Sequence, residues 1–178
     1  MSSTDSCLRD PGDPAPWVRH HAGQILAGGR VLDLACGGGR NARWLATQGF
    51  LVVAVDRDEA AIAGLGANGI DARCLDLEAE NWPLAGEFFD GIVVTRYLHR
   101  PRLADLLALL APGGVLIYET FMRGNEVFGS PRRPEFLLEP GELAALAAAN
   151  GLEVLAFREG IEPGERPAVT QSICCRRG

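Results

Sequence analysis

The segment VLDLACGGGRNARWLA, residues 31–46, constrains the fold more than any other part of the chain. Its first four residues are apolar except for Asp33 and predict a buried strand. The glycines from Gly37 to Gly39 predict a tight turn, and an amphipathic helix is expected to begin near Asn41. Because glycine permits positive φ and close approach of a ligand, this segment predicts a cofactor-binding turn of an α/β sheet.

The rest of the chain alternates short β-rich apolar runs with Ala- and Leu-rich amphipathic stretches, which is typical of βαβ units. We predict strands at 31–34, 51–55, 72–75, 91–95, 115–119, 152–158 and 169–175, and helices at 17–27, 41–48, 59–67, 103–110 and 140–149. The turn-rich GIEPGERP between the last two strands predicts a C-terminal hairpin. The predicted fold class is α/β: a Rossmann-like three-layer sandwich, with a mostly parallel seven-stranded sheet and an antiparallel edge strand from that hairpin.

The length of 178 residues matches one domain, so a single domain must hold both a cofactor and its co-substrate. We predict a flexible N-terminal tail at 1–15, which is polar and Pro-rich, and a single domain at 16–178. The first residues lack the layout of a signal peptide, and no apolar run approaches the roughly 20 residues that span a bilayer. We therefore expect a cytoplasmic protein without a membrane partner.

Composition excludes several kinds of chemistry. All 17 basic residues are arginines, so no lysine is available for a Schiff base or a phosphate-binding P-loop. The five cysteines contain no CxxC pair and the three histidines lack zinc spacing, so neither a metal site nor a disulfide framework is expected. The net charge of -6 argues against a nucleic-acid partner.

Carboxylates recur at the ends of three successive predicted strands: Asp33, Asp56 and Asp76. A carboxylate at the end of the second strand can accept hydrogen bonds from both hydroxyls of a ribose. The glycine turn also satisfies, with Ala42, the G-x-G-x-x-G/A pattern of nicotinamide enzymes, so the turn alone leaves that class open.

The residues on either side of the glycine turn indicate a family other than the nicotinamide enzymes. Asp33, Ala35, Gly37 and Gly39 form D-x-A-x-G-x-G, which resembles the first motif of class I S-adenosylmethionine-dependent methyltransferases, with Ala35 replacing the first glycine. CLDLE, FDGIVVTRYLHR and LLALLAPGGVLIYETF are similar to later motifs of that family. CGGGRNARWLA and the PGEL stretch resemble its small bacterial tellurite-resistance type most closely.

This resemblance implies S-adenosylmethionine as cofactor and S-adenosylhomocysteine as product. In that family the acidic residue and the glycine turn hold the methionine end; Asp33 suits its ammonium and would repel the pyrophosphate of a dinucleotide. Asp56 is the expected ribose ligand, and Asp76 with the backbone of Leu77 the expected adenine ligands. The cofactor-binding candidates are Asp33, Ala35, Cys36, Gly37, Gly39, Asn41, Asp56, Arg57, Asp76, Leu77, Thr95 and Arg19.

Acceptor-side residues should follow the fourth and fifth strands, beside the transferred methyl group. The substrate candidates are Arg96, Phe121, Arg123 and Asn125, and the catalytic candidates are His99, Tyr97 and Glu119. His99 is the preferred general base because its unperturbed pKa lies near neutrality. Six arginines in these loops, at positions 96, 100, 102, 123, 132 and 133, suggest an anionic acceptor.

Three functional interpretations remain. The first is a methyltransferase acting on a small molecule, with a nucleic-acid or protein acceptor as a variant. The second is a nicotinamide (NAD) oxidoreductase, and the third is a non-catalytic S-adenosylmethionine-binding partner protein. The acceptor, the methylated atom and the choice between monomer and homodimer stay open, although an edge hairpin could support a dimer.

Overall fold

The computed structural model describes residues 12–162 and 167–178. Its helices are α1 (Pro16–His21), α2 (Arg40–Thr47), α3 (Glu59–Ile62), α4 (Leu103–Ala108) and α5 (Glu142–Ala149). Its strands are β1 (Arg30–Leu34), β2 (Leu51–Asp56), β3 (Asp71–Cys74), β4 (Phe89–Thr95), β5 (Leu110–Phe121), β6 (Leu152–Glu162) and β7 (Ala168–Arg177). Within these residues, no helix is long and apolar enough to cross a membrane.

The seven strands form one sheet in the order β3-β2-β1-β4-β5-β7-β6. The first five pair in parallel, and β7 runs antiparallel to both β5 and β6. This confirms the predicted α/β fold, the mostly parallel sheet and the C-terminal hairpin. One detail differs from the prediction: the antiparallel strand of the hairpin, β7, lies between β5 and β6, so β6 rather than the antiparallel strand is the edge strand on this side.

Two hydrophobic cores lie on opposite faces of the sheet. Side chains of α1, α2 and α3 pack on one face, whereas α4, α5 and the segment after β3 pack on the other. Because successive side chains of a strand point to opposite faces, each strand contributes residues to both cores: Leu32 belongs to one core and Val31 to the other. This three-layer arrangement leaves the carboxyl edge of the parallel strands free for a site.

Several predicted helices are shorter than expected. The helix predicted at 17–27 ends at His21 and continues as a single 3-10 turn, Ala22–Gln24. The helix predicted at 59–67 stops at Ile62, because Gly64 and Gly66 weaken a helix at this point. The helix predicted at 103–110 ends at Ala108, since the next residues enter β5.

Strand β5 is longer than predicted because it includes the PGG segment. Leu110 already pairs with Phe89, and the register then jumps to Val115 opposite Gly91. A Cβ on Gly114 would lie 2.8 Å from the carbonyl oxygen of Ala111, so this compact excursion requires glycine. Pro112 to Gly114 therefore forms a turn inside the strand rather than before it.

The predicted tail and domain boundary stay predictions. Residues 1–11 lie outside the described residues, as do residues 163–166 of the hairpin connection. Of the remaining tail positions, Pro14 and Ala15 are already buried. The backbone N–H of Ala15 donates a hydrogen bond to Oδ1 of Asn41 at 2.9 Å, so the chain is attached to the core from this point.

Candidate active site

The turn between β1 and α2 adopts the left-handed backbone that its glycines predict. Ala35, Gly37 and Gly39 have φ of 55°, 53° and 75°. Gly39 is the N-cap of α2, and a Cβ there would lie 2.4 Å from Cδ2 of Leu65. A Cβ on Gly37 would meet nothing within 4 Å, so the backbone of the turn faces open space. The turn is thus packed on its helix side and open on its other side.

Asp33 lies beneath this turn and is fully buried. Its Oδ2 accepts a hydrogen bond from the N–H of Ala42 at 2.9 Å, which caps the first turn of α2. Its Oδ1 has no hydrogen-bond partner among the described residues. Burial raises the pKa of Asp33 to about 7, although the Ala42 N–H and the Arg40 guanidinium oppose the shift.

Asp56, at the end of β2, connects the second strand to the glycine turn. Its Oδ2 accepts a hydrogen bond from the N–H of Gly37 at 2.8 Å, and its Oδ1 accepts one from the N–H of Asp58 at 3.0 Å. These bonds fix the orientation of the carboxylate at the sheet edge. Each carboxylate oxygen has a second lone pair, so both can still accept a ligand hydroxyl.

A cleft of about 410 Å³ opens along this edge, within the usual size of small-molecule sites. It is lined by Ala35, Asp56, Arg57, Leu75, Asp76, Leu77, Glu78, Arg96, Tyr97, Leu98, Thr120, Phe121, Pro131 and Phe136. Residues that follow β1, β2, β3, β4 and β5 therefore share one cavity. The carboxylates lie on the side of β2 and β3, whereas the side of β5 is mainly apolar.

Asn41 and Thr95 do not line the cleft but form hydrogen bonds next to it. Nδ2 of Asn41 donates a hydrogen bond to Oγ1 of Thr95 at 3.0 Å, while Oδ1 holds the backbone of Ala15. Their contacts connect α2, the end of β4 and the residues before α1. Cys36 is half-buried in the same turn, and burial raises the pKa of its thiol, so it is not a thiolate at neutral pH.

The structure brings some predicted residues into the cleft and not others. Those that line it are Ala35, Asp56, Arg57, Asp76, Leu77, Arg96, Tyr97 and Phe121. Arg19 instead is exposed and lies 3.8 Å from Asp13. Arg123 is exposed, with its Nε 2.9 Å from Oε1 of Glu139.

Asn125, predicted as a substrate residue, is buried and holds the loop after β5. Its Oδ1 accepts from the N–H of Val169 at 3.1 Å, and its Nδ2 donates to the carbonyl of Pro131 at 3.2 Å. Hydrogen bonds between the backbones of Phe121, Arg123 and Leu138 close the base of the same loop. Asn125 therefore shapes the cleft indirectly, by positioning Pro131.

The three catalytic candidates occupy different surroundings. His99 does not line the cleft but a separate small cavity with Trp82 and Arg102. Tyr97 lines both the cleft and this small cavity, and its hydroxyl is buried without a partner among the described residues. Burial, followed by the charge on Glu78, raises the pKa of Tyr97 to about 12, so the phenol is protonated at neutral pH.

Glu119 does not line the cleft, although the next two residues of β5, Thr120 and Phe121, do. Its Oε2 accepts a hydrogen bond from Oγ of Ser172 at 3.0 Å and lies 3.7 Å from Nη2 of Arg158. Burial and the charge on Glu162 raise the pKa of Glu119, against these two partners, which lower it. The geometry does not support Glu119 as a general base in the cleft.

Sequence reasoning missed several cleft residues. These are Leu75, Glu78, Leu98, Thr120, Pro131 and Phe136. Proximity of Leu75, Glu78 and Leu98 to the predicted strand ends could have indicated them. Nothing in the local sequence marks Pro131 or Phe136, because only the folding back of the loop brings them to the cleft.

Comparisons with known proteins agree with this architecture. A family model described as a methyltransferase domain matches residues 31–114. A ubiquinone biosynthesis O-methyltransferase of Azotobacter vinelandii is 27% identical over 163 residues, which cover 78% of this chain and 69% of that protein.

Two solved structures show the same fold. TehB from Haemophilus influenzae has a TM-score of 0.74 at 22% identity, over 91% of this chain and 61% of its own. A TehB-like S-adenosylmethionine-dependent methyltransferase from Corynebacterium glutamicum has a TM-score of 0.68 at 21% identity, over 94% and 90%. This chain thus spans less than two thirds of the Haemophilus protein.

The sheet order defines a Rossmann-like α/β fold, with a cleft of small-molecule size at the carboxyl ends of its parallel strands. The methyltransferase-domain match over residues 31–114 and the O-methyltransferase relative make this chain similar to class I S-adenosylmethionine-dependent methyltransferases. The methyltransferase resemblance stated for residues 31–46 is supported by the family match, and the two TehB-type structures share the fold. A methyltransferase is therefore favoured over the nicotinamide oxidoreductase that the glycine turn left open.

Proposed function

We propose that the cleft binds S-adenosylmethionine along the sheet edge and passes its methyl group to a small molecule on the β5 side. The observation that carries this proposal is the convergence of Ala35, Asp56, Asp76 and Arg96, from four successive strand ends, on one cavity. One domain, 16–178, then carries both the cofactor and the acceptor.

The residues present fit that cofactor. The open space beside Gly37 lets an elongated ligand approach the turn backbone, where a side chain would obstruct it. Asp56 accepts the ribose hydroxyls, and its two bonds to backbone N–H groups keep it in place before the ligand arrives. Asp76 and Leu77 contact the adenine, with Leu77 supplying buried apolar surface.

Asp33 is proposed to act mainly through the turn, since its Oδ2 caps α2 and its side chain is buried. Arg40, the first residue of α2, is a further candidate for the methionine end that sequence reasoning missed. Its position directly after three glycines is the sequence signal that could have found it.

When bound, the cofactor supplies a methyl group on a positively charged sulfur, which needs an aligned nucleophile more than an acid or base. The protein's part is to hold the acceptor in line and exclude water. Phe121, Pro131 and Phe136 form the apolar wall that does so. The name of the Azotobacter relative, an O-methyltransferase, supports a small-molecule acceptor.

Calorimetric titration with S-adenosylmethionine, S-adenosylhomocysteine and NAD tests the cofactor site. We expect both adenosyl compounds to bind and NAD not to bind. Asp56→Asn should weaken S-adenosylhomocysteine binding about tenfold or more, because a charged acceptor of ligand hydroxyls is lost. Asp71→Asn is the matched control. Asp71 is the first residue of β3, at the amino end of the strand and away from the cleft, and it forms an ion pair with Arg73.

Thermal unfolding of both variants without ligand shows whether the turn stays folded. Equal S-adenosylhomocysteine affinity for Asp56→Asn and the wild type would contradict the proposed site, whereas binding of NAD alone would refute the proposed function. If the wild-type protein binds none of the three compounds, the proposed function itself is wrong.

A further inference from the structure

The arginines after β4 and β5 do not form a uniform basic rim. Four of the six expected there lie within 4 Å of a carboxylate: Arg100 of Glu142, Arg102 of Asp105, Arg123 of Glu139 and Arg133 of Glu135. Arg96 and Arg132 have no ion pair with any described carboxylate. Of these two, Arg96 lines the cleft.

Arg96 is held in an unusual backbone conformation. Its φ is 56°, in the left-handed region that side chains other than glycine, asparagine and aspartate seldom adopt. Its N–H donates a hydrogen bond to the carbonyl of Glu119 at 2.9 Å, which extends the pairing of β4 with β5. Strained residues of this kind concentrate at functional sites, where the surrounding structure maintains them.

The charges around Arg96 favour an anion. Arg40, half-buried at the start of α2, has its pKa lowered first by burial and next by the charge on Arg96, whereas the charges on Glu119 and Asp33 raise it. The guanidinium group of Arg96 therefore has a second arginine in its surroundings. The cleft carboxylates Asp56, Asp76 and Glu78 follow β2 and β3, on the proposed adenosine side. The acceptor side therefore has an arginine but no carboxylate lining it.

The same side of the cleft lacks a general base among the described residues. The Tyr97 hydroxyl is buried and protonated, His99 lies outside the cleft, and Glu119 points to Ser172 and Arg158. An acceptor that must lose a proton has to arrive already ionised, or be ionised by the site's own positive charge.

We propose that Arg96 recognises the acceptor, and that the acceptor is a small molecule with an acidic hydroxyl or thiol on an apolar ring, bound as its anion. The ring packs against Phe121 and Phe136, and the anionic atom lies against the guanidinium of Arg96. The inference rests on the proposed function of the cleft, which places the cofactor beside Asp56.

The transfer balances without a protein base. The acceptor anion forms a bond to the methyl carbon, while the carbon–sulfur bond breaks and its electron pair stays on sulfur. An anion and a sulfonium become a neutral methyl ether or thioether and a neutral sulfide. The acceptor's proton has already left to solvent on ionisation.

The test uses 4-nitrophenol and 4-nitrobenzenethiol, whose ionisation is visible by absorbance, on the complex with S-adenosylhomocysteine. We expect the wild-type complex to lower the pKa of the bound probe by about one unit, as an opposite charge nearby does. Arg96→Gln should abolish that shift, and Arg96→Lys should restore part of it. Arg132→Gln, an exposed arginine outside the cleft, is the matched control and should retain the shift.

Two further measurements separate the acceptor role from others. In turnover with S-adenosylmethionine, Arg96→Gln should raise the KM of the probe about tenfold, matching the lost pKa unit. Its affinity for S-adenosylhomocysteine and for 4-nitrotoluene, a neutral molecule of similar shape, should match that of the wild type. Thermal unfolding monitors the fold of each variant.

Three results would overturn the inference while leaving the proposed function intact: an unshifted or unbound probe, equal losses in Arg96→Gln and Arg132→Gln, or weakened S-adenosylhomocysteine binding in Arg96→Gln. The last would mean that Arg96 holds the cofactor. Failure of the wild type to bind either adenosyl compound would instead refute the proposed function.

Discussion

Replacing Gly39 by alanine is expected to destabilise the protein through two separable effects. With φ of 75°, an alanine here incurs the left-handed backbone penalty of about 1 to 2 kcal/mol. The new Cβ would also lie 2.4 Å from Cδ2 and 2.8 Å from Cδ1 of Leu65, which is fully buried and cannot move into solvent. Such overpacking typically costs about 1 to 3 kcal/mol.

The reduced freedom of the unfolded chain offsets part of this cost, by about 0.4 to 1 kcal/mol. We therefore expect Gly39→Ala to lower the free energy of unfolding by about 2 to 4 kcal/mol. Equilibrium urea unfolding followed by tryptophan fluorescence measures the change.

Two neighbouring glycines are matched controls. Gly37 has φ of 53° but open space around its Cβ position, so Gly37→Ala isolates the backbone penalty and should cost about 1 kcal/mol. Gly38 lacks the positive φ and also has open space, so Gly38→Ala should change stability by less than about 0.5 kcal/mol.

A double-mutant cycle with Leu65→Ala tests the packing term directly, because that change removes the three atoms nearest the new Cβ. The pair should be less destabilising than the sum of the single variants by about 1 to 3 kcal/mol. Strict additivity, or equal costs for Gly39→Ala and Gly37→Ala, would refute the reasoning.

The remaining predictions concern Asp33 and two residues first expected at the site. Since the folded-state pKa of Asp33 is about 7, against 3.8 in the unfolded chain, its protonated form favours folding at low pH, and that contribution is lost as pH rises from about 4 to 7. At about 1.4 kcal/mol per pKa unit, the free energy of unfolding falls by at most about 4 kcal/mol. Urea unfolding at several pH values should show this fall in the wild type but not in Asp33→Asn. Parallel curves of stability against pH for the two proteins would contradict the prediction. His99→Gln and Arg123→Gln should each keep kcat/KM within about threefold of the wild type, because neither residue lines the cleft. A loss of about 100-fold in steady-state assays of either variant would restore it as a site residue.

The chain's local pattern determined most of the fold and the half of the cleft that is proposed to hold the cofactor. Alternating apolar runs and a glycine turn are short-range signals, so β1, the turn and α2 follow from residues 31–46 alone. Asp56 and Asp76 could be located because the carboxyl ends of parallel strands meet at one edge, whatever the rest of the chain does.

Only the tertiary structure decided the half of the cleft that is proposed to hold the acceptor. Along β5, Thr120 and Phe121 line the cleft whereas Glu119 does not, because its carboxylate accepts a hydrogen bond from Ser172, and a motif does not resolve this one-residue difference. Insertion of β7 beside β5 supplies Ser172 as the partner of Glu119, from 53 residues away.

The loop after β5 shows the same limit. The side chain of Asn125 donates a hydrogen bond to the carbonyl of Pro131, and the loop so folded places both Pro131 and Phe136 in the lining of the cleft. These contacts depend on long-range packing and have no local signature. The sequence by itself therefore determined the sheet and the strand-end carboxylates, whereas three-dimensional packing decided which arginine and aromatic side chains line the side of the cleft proposed for the acceptor.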